Sequence, residues 1–366
     1  MMQILFSFFF DGLAVIGAFL VVIGVHELGH FLMARCLGVG VLRLNLGFGK
    51  SLWKKKSKNG IEYAISPFLL GGYVKLLDER EGSVPPELLH KSMTRQPAWK
   101  RWSILAAGPL MNFLLALCFF MLVLLQGLPA LKPVIGAITP ASLAQKAGFQ
   151  SGDLFLSVQG KPVSNWLFVN LYLIDAFGEK GNLSIEVQHT NTKKAQLVFP
   201  LSEWKLNPLN PNLLQSLGLV PSLEAQWMKI EKETPINAFC TALTYTYNYA
   251  KANGVIAYKI VRGIISIRSL AGPISVFIAS VNSLKKGWVY YCFFLAFLSV
   301  SVGAFNFLPI PGLDGFQMLI VFYEKITGRP VSSALQVLFY QLGIIALSVL
   351  LSQVLINDVA RYGKFF

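Results

Sequence analysis

Residues 12–25, GLAVIGAFLVVIGV, are apolar without interruption and run straight into His26-Glu27-Leu28-Gly29-His30. With ILFSFF before it and FLMA after it, the segment covers about residues 4–34, longer than the ~20 residues a bilayer core needs. Three ionisable side chains inside such a segment are costly and mark a functional site by default. Histidines four apart on a helix share one face, one turn apart, and can hold a single metal ion. Glu27 follows about 100° round the helix, close enough to take a proton from a water held by that ion. Zn²⁺ is the natural candidate, because two imidazoles and one carboxylate leave a fourth tetrahedral position for water. A helical histidine pair making core hydrogen bonds is the plain alternative. The depth of the motif in an apolar segment argues against it.

Composition agrees with a membrane setting. Of 366 residues 54% are hydrophobic and only 14% charged, far from the balance of a water-soluble domain. The four cysteines are scattered, with neither disulfide-framework nor metal-ligand spacing. A net charge of +14 comes without any nucleic-acid motif. It reads as a cytoplasmic-side excess attracted to anionic membrane lipid, with no nucleic-acid partner. The N-terminus lacks a basic leader and a small-residue cleavage site, so the first span is expected to be retained. Residues 37–101 hold twelve Lys/Arg against five Asp/Glu, which places them on the cytoplasmic side and the HELGH motif near that face. Within them Val41 to Trp53 alternates, Asn59-Gly60 predicts a hairpin turn, and Gly71-Gly72 precedes an extended run. A small β-structure is expected beside the metal site; an open edge there would pair with an extended peptide, and an ordinary amphipathic hairpin is the plain alternative.

The second span is expected over about 102–125, with small residues at Gly108-Pro109 for close packing and Asn112 able to hydrogen-bond across the bundle. From about 133 to 200 the character turns soluble. Short strands, a small helix around 142–147 and the Ala147-Gly148-Phe149 to Gly152-Asp153 turn resemble a PDZ domain. His90 and His189 read as ordinary surface histidines. Residues 234–268 alternate apolar and polar groups and are expected as amphipathic helices at the outer interface. The third span, about 289–308, ends in NFLPIPGLDG, whose prolines and glycines break the helix at membrane depth. Asp314 in that break is expected as the third ligand. It reaches the level of His26 and His30 only if residues 234–251 do not cross the bilayer, a displacement on the order of 30 Å otherwise. The fourth span covers about 334–355. The expected fold is therefore an α-helical polytopic membrane protein of about four transmembrane helices, with a membrane-associated β-hairpin or sheet and an inserted α+β PDZ domain. Its regions are 1–127, 128–222, 223–286 and 287–366.

HELGH in the first span, LGGYVKLLDER after it, AGPLMNF in the second, a PDZ insert and NFLPIPGLDG in the third occur in series. Together they resemble the bacterial site-2 protease family of intramembrane zinc metalloproteases, in its sigma-E-regulating branch. The resemblance implies His26, His30 and Asp314 as zinc ligands and Glu27 as catalytic base. It further implies that Asn306 and the Gly71-Gly72-Tyr73 edge hold the substrate strand; Asn112 joins them as a candidate substrate contact. The implied reaction cuts a peptide bond within or near a transmembrane segment, in anti-sigma factors or remnant signal peptides. The implied location is the bacterial inner membrane, with the PDZ domain periplasmic as a size filter and the active site near the cytoplasmic face. Two departures stand out. The branch typically carries two PDZ domains where this chain has room for one, and the usual LDGGH becomes Leu313-Asp314-Gly315-Phe316-Gln317. Gln317 can still donate a hydrogen bond beside the metal but cannot titrate. Three rivals compete: a catalytically inactive PDZ-bearing binding module, a metallopeptidase acting on soluble chains, and a metal transporter. The intact His26, Glu27, His30 and Asp314 set, its depth, and the presence of Glu27 and the insert disfavour them in turn.

Overall fold

The computed structural model describes residues 2–80, 82–208, 210–224 and 228–363. Residues 1, 81, 209, 225–227 and 364–366, which belong to the N-terminus before the expected first span, the basic stretch, the connection and the tail, lie outside the described residues. The chain divides into two compact units, residues 1–120 with 277–350, and residues 121–276 with 351–366.

The first unit is built on helix α1 (Met2–Cys36), a four-stranded sheet and the greater part of helix α2 (Ala98–Gln126). The sheet comprises β1 (Val41–Phe48), β2 (Trp53–Lys56), β3 (Glu62–Ile65) and β4 (Phe68–Leu76), in the order β2-β3-β1-β4. Asn59-Gly60 sits in the turn joining β2 to β3, with Gly60 at a φ of +82° that favours glycine. β1 runs parallel to β3 and antiparallel to β4, in a register that places Leu46 opposite Gly72 and Asn45 opposite Tyr73. That order leaves β4 at the edge of the sheet, against α1. Buried Asn45 braces this corner: its amide donates to the Gly47 carbonyl at 2.6 Å and meets Ser66 Oγ at 3.1 Å.

Two ion pairs follow the sheet. Burial pushes the Asp78 carboxyl up, but the hydrogen bonds from Arg80 outweigh it and hold Asp78 below the usual carboxylate range. The same Arg80 donates to Gln336 at 3.1 Å. Arg101, on α2, pairs with Glu324 at 2.6 Å, both largely shielded from solvent. Desolvated pairs of this kind fix relative position more than they add stability.

The second unit contains an α+β body. After β5 (Leu128–Leu131) come β6 (Ile135–Ile138), the single-turn helix α3 (Leu143–Lys146), β7 (Leu154–Val158), β8 (Lys161–Pro162) and helix α4 (Trp166–Ala176). Then follow β9 (Asn182–Gln188), β10 (Lys194–Pro200), the short helix α5 (Leu213–Leu217), β11 (Leu219–Pro221) and β12 (Met228–Glu231). The sheets run β10-β9-β7-β8, β11-β6 and β12-β5. Ser142 and Asn165 cap α3 and α4 by accepting from first-turn N–H groups. Phe155, Leu173, Leu183, Ile185, Leu217 and Leu219 form a shared core, each burial worth roughly 1.5–3 kcal/mol.

Helix α6 (Pro235–Val261) packs on this body through one face that includes Ala238, Ala242, Tyr245 and Lys259. Lys259 is 1% exposed, and its ammonium donates to the carbonyls of Ile174, Asp175 and Phe177 at 3.1, 2.7 and 2.6 Å. A cation thereby meets the otherwise open carbonyls at the C-terminal end of α4. Helix α7 (Pro273–Lys286) begins against the end of α10 (Ser333–Tyr362). Asp358 accepts from the backbone N–H of Gly272, Ile274 and Ser275 at 2.9–3.0 Å, and from Ser275 Oγ. Pro273 has no N–H, so a carboxylate from a distant helix satisfies the opening turn of α7. Helices α8 (Trp288–Asn306) and α9 (Asp314–Thr327) complete the element list.

Among the described residues, five helical stretches are long and apolar enough to cross a membrane: 11–36, 98–126, 267–286, 288–306 and 334–362. Four of them match the expected spans. The fifth, 267–286, falls in the region expected to lie at the interface. It qualifies because a 3₁₀ turn at 267–269 precedes α7 and lengthens an otherwise short helix. The chain is thus a mostly helical, multi-pass membrane protein with added sheets.

Candidate metal centre

All the groups of this site belong to the first unit. His26 and His30 project from the same face of α1, one turn apart, as their spacing requires. Asp314 arrives from the first turn of α9, immediately after the Pro309, Pro311 and Gly312 break. Among the described residues these three form a cluster whose donor atoms lie within 4.8 Å of one another. His26 Nε2 and His30 Nε2 are 3.3 Å apart, and Asp314 Oδ2 lies 3.1 and 3.3 Å from them. Donors bound at about 2.0–2.2 Å at tetrahedral angles are separated by about 3.3 Å or slightly more. Asp314 Oδ2 is buried and lacks a well-formed hydrogen bond. Three electron-pair donors converging at that spacing fit a divalent cation.

The tautomer of His30 follows from its surroundings. Its Nδ1 lies 2.7 Å from the Ile104 carbonyl, which can only accept, so Nδ1 carries the proton and Nε2 offers its lone pair to the centre. Helix α2 comes this close because residue 108 is glycine. A Cβ there would stand 2.2 Å from His30 Nε2. Gly108→Ala should therefore displace the imidazole. We expect divalent-metal affinity to fall at least 10-fold with the protein still folded, measured by chelator competition and thermal unfolding; unchanged affinity would show that the ring has room to move.

Glu27 is 7% exposed and lies outside the three-donor cluster. Strand β4 passes beside it at Gly72, where a Cβ would lie 2.8 Å from Glu27 Cγ and 3.2 Å from Oε1. The edge strand thus runs along the acid with only backbone between them. Gly71 faces the Phe48 ring in a similarly close approach, and Tyr73 is partly exposed with the Arg43 guanidinium 5.8 Å from its ring centre.

The remaining sequence candidates are placed differently from the metal cluster. Asn306 ends α8 and donates to the Val302 carbonyl at 3.0 Å. Gln317 donates to the Tyr340 hydroxyl rather than to an imidazole. Asn112 is fully buried, with an amide atom 3.3 Å from His26 Nδ1. Sequence reasoning missed the Ile104 carbonyl, which no side chain advertises. It read Gly108 only as a packing residue, although a small residue one turn before Asn112 was the available signal.

A family model described as peptidase family M50 matches residues 14–350. "Protease RseP" of Yersinia pestis is 30% identical over 458 aligned positions, covering 99% of this chain and 100% of that protein. "Regulator of sigma-E protease RseP" of Escherichia coli K12 is 30% identical, over 97% of this chain and 99% of that protein. A "putative zinc metalloprotease" of Vibrio cholerae is 29% identical over 99% and 100%.

Proposed function

Because the chain belongs to peptidase family M50 and is a membrane metalloprotease of the site-2 type, we propose that its metal is zinc, held by His26, His30 and Asp314, with Glu27 as the catalytic base. The observation that carries this reading is the 3.1–3.3 Å triangle of His26 Nε2, His30 Nε2 and Asp314 Oδ2. Zinc bound there would supply Lewis acidity, polarising the scissile carbonyl and making a water acidic near neutral pH. Glu27 takes the proton of the attacking water and returns it to the departing amide nitrogen. Ile104 holds the His30 ring by its Nδ1–H, and Gly72 keeps the space beside Glu27 free of side chains.

Substrate enters as a strand. A peptide bond inside a helix is shielded and hydrogen-bonded, so the substrate must unwind before attack, and its freed backbone groups then need partners. The free edge of β4 offers such partners beside Glu27, with Gly71, Gly72 and Tyr73 along it. Asn306 is assigned a share in holding that strand, and Gln317 an outer role near the centre. Substrates are proposed to be single-span membrane proteins of the anti-sigma factor or remnant signal peptide kind, a reading supported by the sigma-E names of the relatives. The chain is placed in the bacterial inner membrane, its active site near the cytoplasmic face.

The α+β body is assigned as one periplasmic PDZ domain that screens substrates by size. The alignment with the Yersinia protein spans 458 positions against 366 residues here, an excess the size of one small domain, which supports a single copy in this chain.

The test is cleavage of a tagged single-span protein by the purified enzyme in detergent. We expect cutting within the span, loss with a zinc chelator and recovery with zinc. Two glycines near the scissile bond should speed cleavage by up to about 30-fold relative to alanines, since each costs the helix about 1 kcal/mol. Equal cleavage of both substrates would remove the unwinding step from the account.

A further inference from the structure

We propose that Asn112 is the positioning residue for His26, presenting its amide oxygen to Nδ1–H so that Nε2 faces the metal with its lone pair. The inference rests on the assignment of His26 as a zinc ligand. The two imidazoles need the same service. A ring that binds through Nε2 carries its proton on Nδ1 and needs an acceptor there, which fixes both tautomer and ring orientation. His30 finds one in the Ile104 carbonyl at 2.7 Å. His26 finds, at 3.3 Å from Nδ1, the terminal amide of Asn112.

Asn112 is built into place. It is 0% exposed, and its own carbonyl accepts from Ser299 Oγ at 2.8 Å, tying this turn of α2 to α8. Full burial between two helices excludes it from contact with a substrate strand in this state. Its amide is left half-used: as oriented, Nδ2 points to His26 Nδ1, while Oδ1 is buried without a partner among the described residues. Leaving a buried carbonyl oxygen unmatched is costly. The two ends of a primary amide exchange places by a half-turn about the last side-chain bond. With Nδ2 inward, His26 would hold its proton on Nε2, the nitrogen that lies 3.1 Å from Asp314 Oδ2 and has to give a lone pair to the ion. With Oδ1 inward, the proton moves to Nδ1 and Nε2 is free for the ion. The metal-loaded protein takes the second arrangement, and the amide couples ring tautomer to occupancy.

The experiment measures zinc affinity by chelator competition on the full chain in detergent, for wild type, Asn112→Leu and Asn112→Asp, with thermal unfolding of the zinc-free proteins as the check on folding. Leucine matches the volume but has no acceptor, and zinc binding should weaken about 10–100-fold. Aspartate keeps an oxygen at the same reach and should bind within about 3-fold of wild type, or more tightly. If Asn112→Leu does not fold, Asn112→Ala takes its place with the same expectation. Two outcomes overturn the inference while leaving the zinc assignment standing: the acceptor-free variant binds as tightly as wild type, or aspartate binds as weakly as leucine. A wild type that binds no zinc overturns the zinc assignment, and this inference with it.

Discussion

Glu27→Gln should cut turnover of a single-span substrate by about 10²–10⁴-fold, the range a positioned acid–base contributes, while zinc content stays at the wild-type level. Glutamine has the same shape, so the close passage of β4 at Gly72 is undisturbed. It cannot accept a proton, so the attacking water is no longer deprotonated. Because Glu27 stands outside the cluster of His26, His30 and Asp314, the metal should not notice the change. Rates and metal content measured on the same preparation check both halves. Cleavage within about 3-fold of wild type would show that another group removes the proton; loss of zinc would move Glu27 into the coordination set.

Asp314→Ala should act in the opposite order, through the metal first. It removes one of three protein donors. If four ligands share the ~10–16 kcal/mol of a structural zinc site evenly, each is worth about 3–4 kcal/mol, or roughly 10²–10³-fold in affinity. Two imidazoles on one helix turn would still hold the ion weakly. Cleavage should therefore vanish at limiting zinc and return only in part when zinc is raised. Titrating zinc against a competing chelator, with cleavage followed in parallel, reads both quantities. Unchanged affinity would assign the third position to a group other than Asp314.

The sequence carried the centre further than its surroundings. His26 and His30 are legible because a four-residue spacing on a helix has a single geometric meaning, and Asp314 because Pro309, Pro311 and Gly312 interrupt a span where backbone seldom stays unpaired. Alternation and Asn59-Gly60 likewise announced the hairpin between β2 and β3. The crossing of α1 with α2 was not legible. It depends on how two helices approach, and it decides that Gly108 lies under His30, that Ile104 turns its carbonyl to Nδ1 and that Asn112 meets His26. Gln317 was read as a neighbour of the metal by its place after Asp314, yet its side chain meets Tyr340. A register along one helix does not say which neighbouring helix each face will find. The region ending in 267–286 was read as interfacial because residues 234–268 alternate apolar and polar groups and because Asp314 had to reach the level of His26 and His30, whereas the length of 267–286 emerges only once the preceding turn is added.

The carboxylate that closes the start of α7 also sets a clock. Asp358 lies 86 residues beyond Gly272, so the N–H groups of that first turn lack this acceptor when they leave the ribosome. At about 5–20 residues per second, they wait on the order of 4–17 s for the residue that satisfies them. During that interval the second unit holds an unfinished helix end, and its assembly is completed only when the stretch around Asp358 has been made.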